Sequence, residues 1–206
     1  MTPDEVGFFR TILDHPDDDT PRLIYADWLE DRGRSERAEY IRVQIEVAKL
    51  ADDDPRIATL LRRADELFPR FFEDYNRLRS AFEAISLQRG FIVSAQLGYA
   101  NQLRVFLGQA NRFFDFGPVG HLVIEGEYER GRSSLRTADV ERLVNLPQMS
   151  LVRELTIGPI DRLGAKAVAA SSFLHQLKCL RIVSNKLGRA MVVKLRIQFG
   201  KRISFS

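Results

Sequence analysis

The sequence predicts an α/β protein, with an N-terminal helical module followed by a short solenoid of parallel strands and outer helices. Three observations predict it. Apolar residues in the first half recur at helical spacing between breaks marked by proline and glycine. From about residue 90, short alternating apolar segments take turns with helical stretches. The last apolar position of those segments falls at Leu97, Ile124, Ile157, Ile182 and Phe205, with separations of 27, 33, 25 and 23 residues. Such spacing belongs to a repeat of about 20–29 residues with one longer unit. The expected boundaries are a helical module over 1–50, a helical connector and N-terminal cap over 51–88, and the array over 89–206.

Thr2-Pro3-Asp4-Glu5 predicts the first helix start. Thr2 caps, Pro3 suits the first helical position and Glu5 completes a capping box. Phe8, Phe9, Ile12 and Leu13 form its apolar face, and His15-Pro16 ends it. Thr20-Pro21 repeats the start signal, with Thr20 as the expected cap. Leu23, Ile24, Trp28 and Leu29 follow, and Gly33 stops this second helix. A third helix starts near Ser35 and carries Tyr40, Ile41, Val43, Ile45, Val47 and Leu50. Asp54-Pro55 opens a fourth with Ile57, Leu60, Leu61 and Leu67. Pro69 either kinks it or starts a fifth, through Phe72, Tyr75, Leu78 and Phe82.

Phe9 to Gln44, with its PDDDTPRL turn, YADWLE helix, Arg32-Gly33 stop and AEYIRVQ helix, resembles the bacterial repeat-companion domain. That module typically sits N-terminal to leucine-rich or other repeats. The resemblance implies an accessory or interaction role and supplies no chemistry.

In the array, Leu177 to Leu187 fits L-x-x-L-x-L-x-x-N-x-L, the leucine-rich-repeat pattern. Its leucines point inward, and Asn185 is placed to join a hydrogen-bonded ladder of turns. Val152–Ile157 and Val119–Ile124 keep the strand spacing; Ile92–Leu97 and Gly200–Phe205 match it more weakly. Helices are expected over Asn101–Phe113, Thr137–Leu146 (capped by Thr137), Leu163–Phe173 and Gly188–Phe199, with a surface excursion at residues 127–134. The small-residue helix Leu163–Ala169 resembles the ribonuclease-inhibitor-like class of these repeats, which implies a right-handed leucine-rich-repeat solenoid. Gly90-Phe91 resembles the usual entry into such an array.

Charge is distributed unevenly along the chain. Residues 1–50 hold seven Lys/Arg against twelve Asp/Glu, residues 51–150 thirteen against fourteen, and residues 151–206 eleven against two. The basic end can attract nucleic acid, anionic lipid or an acidic partner, or serve only as a solvated surface, and no interleaved aromatic platform accompanies it. Asp17-Asp18-Asp19 is acidic enough for a hard cation, but an EF-hand's glycine and bidentate glutamate are missing. Carboxylates ahead of a helix also suit its positive end. Tyr25 and Trp28 read chiefly as core, with peptide docking as the alternative.

Nothing in the chain forms a recognised catalytic pattern. His15, His121 and His175 lack H-E-x-x-H spacing, and Cys179, the single cysteine, has no identifiable base. No phosphate loop or nucleophile elbow occurs. The expectation is a non-catalytic scaffold or regulatory protein without cofactor or metal, bound by an unidentified protein partner. Nucleic-acid binding is the alternative, and a metal-assisted hydrolase the weakest reading. No stretch of about 18 apolar residues predicts a membrane span. The single cysteine and the acidic N-terminus suggest the cytoplasm. Strand alternation aims Gln96, His121, Val123, Glu125, Glu154, Thr156, Arg181 and Arg202 outward, onto the concave face expected of a solenoid.

Overall fold

The computed structural model describes residues 1–72, 79–98, 100–126, 128–129, 132–133, 135–183 and 187–206. The first half is helical: α1 (Pro3–Asp14), α2 (Thr20–Glu30), α3 (Ser35–Lys49) and α4 (Ile57–Phe71). The capping box of α1 is complete. The Glu5 N–H donates to Thr2 Oγ1 (3.3 Å) and the Thr2 N–H to Glu5 Oε2 (2.8 Å). At α2 the expected cap is corrected: Thr20 lies inside the helix, and its N–H donates to the Asp18 carboxylate at 2.9 Å. The Asp18 carboxylate accepts the N–H two residues on, the Asx-turn arrangement, and the helix begins at Thr20. Helix α4 starts at Ile57, two residues after Pro55, and runs through Pro69 to Phe71. Tyr75 and Leu78 of the expected fifth helix lie outside the described residues.

The second half alternates strands and helices. It comprises β1 (Ala84–Gln88), β2 (Phe91–Leu97), α5 (Ala100–Phe114), β3 (His121–Glu125), β4 (Tyr128–Glu129), β5 (Arg132–Ser133) and α6 (Thr137–Val144). A 3₁₀ turn (Pro147–Leu151), β6 (Glu154–Gly158), α7 (Arg162–Ala170), β7 (Cys179–Ile182), α8 (Gly188–Phe199) and β8 (Ile203–Phe205) complete it. Six strands form one mostly parallel sheet in the order β1-β2-β3-β6-β7-β8, and β4 pairs with β5 separately. From β2 to β8 every sheet strand pairs in parallel with the next one along the chain, with a helix in each connection.

The expected all-helical connector is corrected at residues 84–88. They form β1, antiparallel to β2 across a two-residue turn. Arg89 and Gly90 both have positive φ, 48° and 85°, the geometry of a tight hairpin. Thr137 begins α6 without capping it; its hydroxyl donates instead to the carboxylate of Asp161 (3.1 and 3.2 Å), the N-cap of α7. Asn185 and most of the expected excursion at 127–134 lie outside the described residues.

The two halves share core. Phe91, the first residue of β2, lies fully buried against Phe9 and Tyr25, with ring centroids 6.4 and 6.0 Å away. Leu151 joins the same helical-module cluster. Arg37 is buried and donates to the Phe116 carbonyl at 2.9 Å. Burial pushes its guanidinium down to about 10. Tyr25 and Trp28 stack at 5.7 Å, Tyr25 being buried and Trp28 half-buried under the Arg32 guanidinium.

Candidate protein-binding face

Strand register turns the repeat spacing into rows of side chains. Leu97, Ile124, Ile157, Ile182 and Phe205 are consecutive partners across five strands. Ala95, Leu122, Leu155, Leu180 and Ile203 form a second inward row. Both rows pack in the main core with α5 to α8. Since side chains alternate along a strand, the residues between them face away from the helices.

The outward rows are Ser94, His121, Glu154 and Cys179, then Gln96, Val123, Thr156, Arg181 and Ser204. Glu154, Cys179, Arg181 and Ser204 are exposed; the other outward residues named are half-buried. Glu125 continues the pattern, exposed at the end of β3 and paired with Gly158. Strands about 4.8 Å apart make this a face about 19 Å wide from β2 to β8. Seven of the eight predicted outward residues therefore lie together on it.

Arg202 is the exception. It belongs to a 3₁₀ turn, and its guanidinium donates to the carbonyls of Phe199 (3.1 Å), His175 (2.8 Å) and Leu177 (2.9 Å). It fastens the last turn to the segment that precedes β7. The reason is that the last strand starts at Ile203, later than the spacing suggests. Ser94, Cys179 and Ser204 were not among the predicted residues, although the same alternation places them in these rows.

A cleft of about 340 Å³ opens where the helical module meets the N-terminal ends of β3, β6 and β7. Ile12, Leu13 and Pro16 come from the module, Val93, Pro118 and Gly120 from the sheet side. Arg22, Arg153 and Lys178 line it with His121 and Glu154. Gly120 lets the module approach, since a Cβ there would lie 2.9 Å from Leu13 Cδ2. Arg22 is 1% exposed and donates to the carbonyls of Asp18 (2.8 Å) and Pro16 (2.9 Å); its Nε–H has no hydrogen-bond partner. Burial lowers its pKa from the usual arginine value. No sequence signal marks this cleft, because tertiary docking assembles it from distant segments.

The acidic run has structural partners. Asp18 accepts the Thr20 N–H, while Asp19 faces Arg22 (4.0 Å), Lys49 (3.3 Å) and Arg89 (3.3 Å). Among the described residues, no three His, Cys, Asp or Glu side chains are grouped to hold a metal ion. No helix among the described residues is long and apolar enough to cross a membrane. No protein family, curated protein or solved structure matches the chain.

Proposed function

We propose that the chain is a non-catalytic interaction protein whose outward sheet face binds a protein partner. In this reading the sequential parallel strands are a short leucine-rich-repeat solenoid, and the N-terminal module is a repeat-companion domain that caps it. The single observation carrying the reading is the in-register row from Leu97 to Phe205, which fixes a continuous face of alternate residues opposite the core. A rigid sheet holding mixed polar, charged and apolar side chains is suited to recognising another protein surface. Module and array share the Phe91 and Leu151 packing, as a cap on exposed repeat core requires. Capture of partners from the source cells tests this, comparing the native chain with an Arg181→Glu/Glu154→Lys variant. A specific partner lost with the variant supports the face.

A second reading has its own observation. Residues 162–206 contain ten Lys/Arg and no Asp or Glu, and Arg162, Lys166 and Lys194 border a groove between α7 and α8. Such a surface suits the phosphates of a nucleic acid. Binding of labelled duplex and single-stranded oligonucleotides at low salt, falling linearly on a log–log salt plot, is its expected outcome. Absence of binding at low salt removes it.

A further inference from the structure

The cleft between the helical module and the strand ends combines two kinds of wall. One is apolar, from Ile12, Leu13, Val93 and Pro118; the other is cationic, from Arg22, Arg153 and Lys178. Glu154 is the one carboxylate among the described lining residues. Asp14 engages Arg153 at 3.0 Å from outside the lining, and Asp17 and Asp18, both exposed, attract Arg22 without lining the cleft. Asp19 divides its charge among three cations. The guanidinium and ammonium groups on this wall outnumber its carboxylate, and carboxylates make the strongest hydrogen-bonding partners for such cations.

We propose that this cleft captures the free C-terminal carboxylate of a polypeptide whose last residue is apolar. A terminal residue carries a carboxylate and an apolar side chain on one Cα, so both walls are used by the smallest possible group. An internal acidic side chain would present only its methylene stem to the apolar wall. The remaining chain would leave across His121 and Glu154, which belong both to the cleft and to the outward face. The inference rests on the interaction reading for the kind of ligand, a polypeptide, and not for the site.

Calorimetric titration of the full chain with three short peptides tests it. One ends in leucine with a free carboxylate, one is its C-terminal amide, and one is an amide carrying an internal glutamate. The free acid is expected to bind and both amides to fail. Lys178→Glu should weaken the free acid by about tenfold or more, and Lys178→Arg should retain it. Lys178 is exposed, so neither change threatens the core. Equal binding of acid and amide, preference for the internal glutamate, no binding at all, or indifference to Lys178→Glu would each overturn the proposal. Failure here with partner capture still sensitive to Arg181→Glu removes the cleft alone. Free-acid binding with capture indifferent to the face variants removes the face alone.

Discussion

Glu5 shows how one side chain ties three segments together. It is buried, takes the Thr2 N–H at 2.8 Å and the Arg34 guanidinium at 2.8 Å, and faces the Tyr25 hydroxyl at 3.4 Å. Burial pushes its carboxyl up, but the Thr2 N–H and Arg34 outweigh it and hold it below the ordinary value of 4.5. As pH falls, the unfolded chain therefore takes up this proton before the folded one does. Glu5 contributes full stability above 4.5, and the contribution disappears as pH drops through the lower folded value. Urea denaturation of Glu5→Gln should show a loss of about 1.5–3 kcal/mol at neutral pH. The difference from the native chain should shrink in acid below pH 4.5. Gly158 is a second sensitive residue. Its φ is 154°, and a Cβ there would run into the Val183 carbonyl oxygen. Gly158→Ala should cost about 2–4 kcal/mol in the same measurement.

At the scale of strands and helices, neighbouring residues on one strand should behave differently. Ile157 is fully buried in the row from Leu97 to Phe205, whereas Thr156 faces out. Ile157→Ala should cost about 2–5 kcal/mol and Thr156→Ala about 0.5 kcal/mol, read by thermal or urea unfolding. This inward–outward division was legible in the sequence because repeat spacing and strand alternation reinforce each other at Leu122, Leu155 and Leu180. Strand β1 was not legible. Ile85 and Leu87 do alternate with Ser86 and Gln88, but the run is only five residues long and mostly exposed, and Arg89-Gly90 lacks the Asn-Gly or Asp-Gly composition that marks tight hairpins. Thr20 and Thr137 do not act as caps: each already lies inside its helix, the Thr20 N–H is held by the Asp18 carboxylate, and the Thr137 hydroxyl is turned to donate to Asp161. Arg202 was misplaced by strand ends that propensity does not define, and the Arg22–Arg153–Lys178 cleft arises only when the halves dock.

Over the whole molecule, the helical module and the sheet are joined by packing as well as by sequence. Phe91 belongs to the sheet by chain position and to the helical module by its contacts with Phe9 and Tyr25. Truncating it should therefore destabilise both halves. Phe91→Ala is expected to cost about 3–5 kcal/mol, with faster amide exchange in α2 and α3 as well as in β2 and β3. Exchange confined to one half would mean that the two are energetically independent. The charge division sets an acidic first quarter of the chain against a stretch from residue 162 onward that holds no Asp or Glu. Partner binding is assigned to the outward sheet face. Its most direct measurement is the affinity of one captured partner for the native chain, for Arg181→Glu/Glu154→Lys on the outward sheet face, and for Val193→Arg on the exposed side of α8. The account predicts about tenfold or greater weakening for the sheet variant and unchanged binding for the helix variant. Unchanged affinity in the sheet variant, or loss confined to Val193→Arg, would contradict it.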